Sequence, residues 1–146
     1  MSVRPKKHLG QHFLTDLNIA QNIAGALTGV DYQDVLEVGP GMGVLTQYLL
    51  PTKHTIHAIE VDIESVDYLN TNFPKLEPNL VFGDFLKCNL AKEFPSPLAI
   101  IGNFPYNISS QILFKTIGNR NQIPEFVGMF QKEVAERICE PPGSKT

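Results

Sequence analysis

The stretch Asp34–Thr46, DVLEVGPGMGVLT, constrains the fold of this chain more than any other segment. A short apolar run comes first, then Gly39, Gly41 and Gly43 at every second position, and then apolar residues with helical spacing. This pattern predicts a strand, a tight turn and a helix. Glycine permits positive φ and close approach of a ligand, and the turn leads to a helix N-terminus, where N–H groups favour an anionic group.

The spacing of the glycines separates two kinds of nucleotide-binding turn. A dinucleotide fingerprint is G-x-G-x-x-G, whereas here the third glycine comes one residue early and Val44 occupies the expected place. An acid two residues before the first glycine, Glu37, is also foreign to that fingerprint. The pattern E-x-G-x-G-x-G resembles motif I of the S-adenosylmethionine-dependent methyltransferases. A glycine-rich turn in some other α/β protein is the alternative.

Composition excludes several classes of protein. The chain has 146 residues, 42% hydrophobic and 18% charged, as expected for a single domain with a real core. It has no apolar run of membrane-spanning length and no signal-peptide pattern, so we expect no membrane contact. Cys88 and Cys139 lack metal-ligand spacing, so we expect no metal site and a reduced, cytoplasmic location. The net charge of −3 argues weakly against nucleic-acid binding, but Arg4, Lys6 and Lys7 form either a phosphate-contacting arm or a solvated tail.

Predicted strands and helices alternate from Asp34 onward, which indicates an α/β fold with a doubly wound, mostly parallel sheet. The predicted strands are Asp34–Val38, Thr55–Ile59, Leu80–Phe82, Leu98–Ile101 and Glu125–Phe130. The predicted helices run from an N-cap at Thr15 to about Leu27, from the glycine turn to about Leu50, from about Ile63 to Thr71, from about Ser109 to Ile117, and onward from near Gln131. We divide the chain into an N-terminal arm, 1–14, and a domain, 15–146, that looks incomplete after its fifth strand.

Two acids follow predicted strands and can contact a nucleoside. Glu60 comes 21 residues after Gly39, where a carboxylate can accept hydrogen bonds from both hydroxyls of a ribose. Asp84, in the pattern Gly83-Asp84-Phe85, can accept a hydrogen bond from an adenine amino group. The alternatives are an acid at a helix start for Glu60 and a turn aspartate for Asp84. Ligands of doubly wound sheets lie beyond the carboxyl ends of the strands, so we expect both acids near the glycine turn.

The tetrapeptide Asn103-Phe104-Pro105-Tyr106 follows the fourth predicted strand and suits methylation of an exocyclic base nitrogen. Such an amine is a poor nucleophile because its lone pair is conjugated into the ring. Two acceptors, the Asn103 side-chain oxygen and the Phe104 carbonyl, would favour a more tetrahedral nitrogen without a strong general base. Pro105 restricts Phe104 to extended conformations, and Tyr106 can stack on a flipped base for roughly 1–3 kcal/mol. The alternative is an Asn-x-Pro turn with a core tyrosine.

Taken together, six motifs resemble the ribosomal RNA adenine N6-dimethyltransferases, most closely the bacterial small-subunit type. They are KKHLGQHFL (Lys6–Leu14), EVGPGMGVLT (Glu37–Thr46), IEVD (Ile59–Asp62), GDFLK (Gly83–Lys87), NFPYNISS (Asn103–Ser110) and MFQKEVAERI (Met129–Ile138). The resemblance covers nearly all of the chain. It implies a Rossmann-like class I S-adenosylmethionine-dependent methyltransferase fold, with C-terminal strands and a helical domain missing here. It also implies a monomer that dimethylates two adjacent adenosines near the 3′ end of 16S rRNA during maturation of the small ribosomal subunit.

The resemblance also implies site residues. The catalytic positions are Asn103, Phe104, Pro105 and Tyr106. The positions that contact S-adenosyl-L-methionine are His12, Leu14, Gly39, Gly41, Gly43, Glu60, Asp84 and Asn103. His12 departs from the asparagine usual in the family, although it keeps a hydrogen-bonding group. The segment Gln131–Arg137 matches a helix that borders the active site in the family.

Three other functions remain open from the sequence. A related enzyme type methylates an adenosine of 23S rRNA and gives macrolide resistance; Gly10 before Gln11 and the MFQKEVAERI stretch favour the small-subunit type instead. A non-catalytic ribosome assembly factor could use the same fold, but the intact Asn103–Tyr106 motif argues against it. A nicotinamide oxidoreductase is disfavoured by the spacing of the glycines.

Overall fold

A computed structural model of the chain describes residues 16–104 and 108–129. Strands and helices alternate in these ranges, and each of the five predicted strands is present. The strands are β1 (Asp34–Val38), β2 (Thr55–Glu60), β3 (Leu80–Phe82), β4 (Leu98–Asn103) and β5 (Phe126–Met129). The helices are α1 (Leu17–Gly25), α2 (Thr46–Leu49), α3 (Ile63–Asn72), α4 (Leu90–Glu93) and α5 (Ser109–Gly118), with a 3₁₀ turn at Glu77–Asn79.

The strands form one sheet in the order β3-β2-β1-β4-β5, and every neighbouring pair is parallel. The chain therefore builds the sheet outward from β1 on one side, then returns and continues on the other side with β4. The predicted doubly wound α/β sheet is confirmed. The reversal between β1 and β4 creates the switch point at whose carboxyl edge such sheets bind ligands.

Both faces of the sheet are covered. Alternate residues of β1 point to opposite faces, so Val35 packs in a cluster with α2 and α3, whereas Leu36 packs with α4 and α5. The same division separates Ile101 from Ile100 on β4. The central strands are almost completely buried, which explains why their sequences are mostly apolar, with Glu37 as the one buried acid in β1.

Three helix boundaries differ from the sequence-based prediction. The N-cap of α1 is Asp16, whose side chain accepts hydrogen bonds from the N–H groups of Asn18 and Ile19, so the prediction of Thr15 as the cap was wrong by one residue. Helix α1 ends at Gly25, two residues earlier than predicted. Helix α2 begins only at Thr46, because positive φ angles through the glycine turn are incompatible with a helix.

Two strands, β2 and β4, end later than the sequence predicts, and both ends carry predicted site residues. Strand β2 includes Glu60 and strand β4 includes Asn103, whereas the sequence placed both residues just after a strand. Helix α4 and the 3₁₀ turn were not predicted, because segments of three or four residues show no periodicity. In the described part of the chain, no helix is long and apolar enough to cross a membrane, and no group of three potential metal ligands occurs.

Candidate active site

Four of the predicted site residues lie at the carboxyl ends of four adjacent strands. In spatial order across the sheet they are Asp84 after β3, Glu60 at the end of β2, Gly39 after β1 and Asn103 at the end of β4. Backbone hydrogen bonds of 2.9 Å extend the ladder past the strands, from Gly39 N to Ile59 O and from Gly83 N to the Glu60 carbonyl. Strands are spaced by about 4.8 Å, so the row spans about 14 Å. This row suits an elongated ligand that crosses the switch point.

The glycine turn has one open position and one packed position. All three glycines have positive φ, at +70° for Gly39, +58° for Gly41 and +82° for Gly43. A Cβ on Gly39 would meet no atom within 4 Å, so a ligand can approach the backbone there. A Cβ on Gly43 would lie 2.3 Å from the ring of Phe73, so this glycine makes room for a side chain of the protein itself. The cofactor contacts predicted for Gly41 and Gly43 stay predictions.

Glu60 joins the glycine turn to the start of α3. Its side chain is only 2% exposed; Oε1 accepts a hydrogen bond of 2.9 Å from Gly41 N–H, and Oε2 accepts one of 2.9 Å from Asp62 N–H. Burial raises the pKa of Glu60, while these two N–H groups act in the opposite direction. Each carboxylate oxygen has two lone pairs, so the hydroxyls of a ribose are still compatible with this arrangement. The helix-start role considered for Glu60 belongs to Asp62, which accepts from Ser65 N–H.

A second buried acid, Glu37, connects the two ends of the glycine turn. Glu37 is 1% exposed and accepts a hydrogen bond of 2.5 Å from the hydroxyl of Thr46, the first residue of α2. Burial and the nearby charge of Glu60 raise the pKa of Glu37 to about 8, against the opposing effect of the Thr46 hydroxyl. Glu37 and Thr46 flank the three glycines in sequence, so their bond fixes both ends of the turn. The sequence indicates Glu37 only as part of the motif, with no role of its own.

Asp84 organises the turn that follows β3. Its Oδ1 accepts a hydrogen bond of 2.9 Å from Leu86 N–H, which is the turn-aspartate role considered above. Within 16–104 and 108–129, Oδ2 forms no hydrogen bond. A second acceptor therefore exists for an adenine amino group, and the two roles are compatible.

Lys115 on α5 contacts the main chain of the turn that follows β3. Its Nζ donates to the main-chain carbonyl of Phe85 and, at 2.6 Å, to that of Cys88, and it lies 5.0 Å from the centroid of the Phe85 ring. Helix α5 begins a few residues after Asn103, so one helix connects the Asn103 corner with the turn that carries Asp84. No sequence pattern indicates this role for Lys115, because a lysine at the end of an amphipathic helix normally lies in solvent.

Asn103 and Phe104 form the corner at the end of β4. Asn103 is half-buried and pairs with Met129 of β5. The Phe104 ring is buried and stacks on Phe126, with 5.0 Å between ring centroids and 6° between ring planes.

The remaining predicted site residues lie outside the described residues, and their roles stay predictions. They are His12, Leu14, Pro105, Tyr106 and the segment Gln131–Arg137. The predicted domain boundary at residue 15 also lies outside the described residues.

Comparison with known proteins assigns the chain to a family. A model of the family described as ribosomal RNA adenine dimethylase matches residues 3–146. The chain belongs to this family. Ribosomal RNA small subunit methyltransferase A from Flavobacterium johnsoniae is 60% identical over 145 residues, which are 99% of this chain and 56% of that relative. The chain spans about half the length of the curated relatives it matches.

Two solved structures of methyltransferases share the fold of this chain. A dimethyladenosine transferase from Plasmodium falciparum is 34% identical, with a TM-score of 0.70 over 91% of this chain and 48% of that chain. The 23S rRNA methyltransferase ErmE is 29% identical, with a TM-score of 0.70 over 86% of this chain and 50% of that chain. The predicted family and the predicted class I methyltransferase fold are confirmed.

Proposed function

We propose that this chain carries the cofactor-binding and catalytic part of an enzyme that dimethylates the N6 amino groups of two adjacent adenosines near the 3′ end of 16S rRNA. The observation that carries this proposal is the row Asp84, Glu60, Gly39 and Asn103 along the switch-point edge of a family member's sheet. The methyl donor is S-adenosyl-L-methionine. The enzyme acts as a cytoplasmic monomer on small ribosomal subunits that are being assembled.

The residues present fit this cofactor. The open space at Gly39 leaves room for a ligand against the turn, and the Glu60 carboxylate stands on the next strand to accept from the ribose hydroxyls. Oδ2 of Asp84, one strand further, can accept from the adenine amino group. When bound, the cofactor supplies a methyl group activated by a sulfonium.

At the other end of the row, the Asn103 side-chain oxygen and the Phe104 carbonyl accept hydrogen bonds from the two N6 hydrogens of the unmodified target adenine. Each methyl transfer replaces one of these hydrogens, which leaves as a proton. These acceptors disfavour the planar, conjugated amine and leave its lone pair available for the methyl group. The adenosine must be unpaired or flipped out of a helix, because its amine cannot reach the site from within a stack. From the sequence alone, we assign to Tyr106 the face on which the flipped base stacks. Pro105 is assigned the role of restricting the Phe104 backbone.

The 23S rRNA methyltransferase type is the second candidate, because one of its members matches this fold with a TM-score of 0.70. That member is 29% identical to this chain, whereas relatives named small subunit methyltransferase A reach 52–60% identity. This difference favours 16S rRNA as the substrate. A purely non-catalytic assembly factor does not need the Asn103–Tyr106 motif.

The test is to supply methyl-labelled S-adenosyl-L-methionine with either immature small subunits or undermethylated large subunits. Two proteins are compared: this chain, and this chain joined to the part of the Flavobacterium johnsoniae relative that it does not cover. We expect the joined protein to label two adjacent adenosines near the 3′ end of 16S rRNA as N6-dimethyladenosine, which mass mapping of rRNA fragments identifies. Label in 23S rRNA supports the second candidate, and the absence of label in both rRNAs contradicts an enzymatic function.

A further inference from the structure

We propose that Gly128 of β5 is a positioning residue for methyl transfer, because the space above its backbone holds the Phe104 ring and thereby fixes the Asn103–Phe104 corner. The inference rests on the proposed function, which assigns the Phe104 carbonyl to the target amine. Nothing in the sequence motifs points to Gly128, since it lies outside the tetrapeptide and comes 24 residues after Phe104.

The space is formed by two glycines that face each other across neighbouring strands. Gly102 of β4 and Gly128 of β5 are paired in the parallel register. A Cβ on Gly128 would lie 2.0 Å from Cε2 and 2.8 Å from Cδ2 of Phe104, and 2.6 Å from the Gly102 carbonyl oxygen. A Cβ on Gly102 would lie 2.7 Å from the Val38 carbonyl oxygen and 3.1 Å from Cε1 of Phe104. Neither glycine has a positive φ, so both are required for space and not for backbone conformation.

The ring is also held along the same face of β5. Residues two apart in a strand share a face, so Phe126 and Gly128 lie side by side there. The Phe104 ring lies over the Gly128 backbone, stacks on Phe126 at 5.0 Å, and is 1% exposed. Because the ring is enclosed by Phe126 and the Gly128 backbone, we infer that a displacement of the ring also displaces its own backbone. The backbone in question carries the carbonyl that the proposed function uses.

The geometry predicts the size of the effect. Carbon atoms in contact lie about 3.5–4.0 Å apart at their optimum, so a methyl group placed 2.0 Å from a ring carbon forces a shift of at least about 1 Å. Misplacement by about 1 Å in an active site can lower a rate by about 100-fold. An alanine at position 128 should therefore lower kcat by about 100-fold and change the KM for the methyl donor much less.

The test uses four variants and two measurements. The variants are Gly128→Ala, Phe104→Leu, the double variant Gly128→Ala/Phe104→Leu, and Gly118→Ala as the control, because a Cβ on Gly118 meets no atom within 4 Å. Backbone amide NMR shifts of Asn103 and Phe104 are measured in this chain. Values of kcat and KM are measured in the joined protein described above, with immature small subunits as substrate.

We expect Gly128→Ala to move the amide signals of Asn103 and Phe104 and to lower kcat, while Gly118→Ala does neither. The proposal attributes the loss to the ring contact, so the double variant should recover at least about tenfold of the lost kcat, because leucine lacks the ring carbons that meet the new methyl group, even though the contact of 2.6 Å with the Gly102 carbonyl oxygen remains. Urea unfolding of each variant separates displacement of the corner from loss of stability. Unchanged amide shifts in Gly128→Ala, or a double variant no better than Gly128→Ala, would overturn the proposal. If the parent protein transfers no methyl group, the proposed function fails, and the positioning role fails with it even where the amide shifts support the packing.

Discussion

The carboxylate of Glu60 accepts a hydrogen bond of 2.9 Å from the backbone N–H of Gly41, which joins the end of β2 to the middle of the glycine turn. The residue assigned to the ribose therefore also holds the turn against which the rest of the ligand would lie. Its second oxygen accepts from Asp62 N–H at the start of α3. The proposed contact with the nucleoside and the conformation of the turn would thus depend on the same side chain.

Replacing Glu60 by alanine should weaken binding of S-adenosyl-L-methionine at least tenfold, since a hydrogen bond to a charged group contributes about 1.5–3 kcal/mol. Isothermal calorimetry on this chain measures the change. Glu77→Ala, which removes the same charge from an exposed position, is the matched control. Equal affinity in the parent and Glu60→Ala would remove Glu60 from the ribose site.

The buried Glu37 should make stability depend on pH. Its pKa is about 8 in the folded chain against 4.5 for an ordinary glutamate, so the folded state binds a proton more tightly than the unfolded state. The stabilisation is complete below about pH 4.5 and is lost as pH rises to about 8, by up to about 1.4 kcal/mol per pH unit. Urea unfolding at a series of pH values should show this decline in the parent and a flatter curve in Glu37→Gln. Parallel curves for the two proteins would show that Glu37 does not titrate in this range.

An alanine at position 43 should destabilise the turn for two reasons. The φ of +82° is unfavourable for a residue with a side chain, and the new Cβ would lie 2.3 Å from the Phe73 ring. We expect the free energy of unfolding to fall by about 1–3 kcal/mol or more. Gly25→Ala serves as the control, because a Cβ there meets nothing within 4 Å. A Gly43→Ala protein as stable as the control would contradict the packing of Phe73 on the turn.

Removing the charge of Lys115 should change the titration of Cys88. Burial raises the pKa of the Cys88 thiol, and the Lys115 charge opposes that rise. In a Cys139→Ser background, Lys115→Met should shift the midpoint of the pH profile for alkylation of Cys88 to higher pH. The variant should also be less stable, because two main-chain carbonyls lose their donor. An unshifted midpoint would mean that Lys115 does not hold this turn, and exposed Lys92→Met provides the comparison.

The fold was predictable because its signals are local. Apolar strands ending in Gly39, Glu60 and Asn103 alternate with helical spacing, and parallel connections leave few possible topologies. The motif residues around the switch point could be identified because binding of a nucleoside cofactor and methylation of an amine require particular side chains at strand ends. Their assignment to one edge of the sheet followed from the parallel order alone.

The supporting contacts were not predictable, because they join residues far apart in the chain through space. Three-dimensional packing determines the hydrogen bond from Gly41 N–H to Glu60, the contact of Phe73 with Gly43 and the fit of Phe104 over Gly128. A glycine in a strand can mark a bulge, a bend or a close approach, and the sequence does not distinguish these. Boundaries also depend on such contacts, as the late start of α2 shows.

In the proposed function, Asn103 acts on the target amine at the end of a row whose other members hold the cofactor. The most direct test is to measure labelled methyl transfer to immature small subunits and cofactor affinity by calorimetry, each with the parent and with Asn103→Ala in the joined protein. We expect methyl transfer to fall by at least about 100-fold while cofactor affinity changes by less than about tenfold. Full methyl transfer by Asn103→Ala would contradict it.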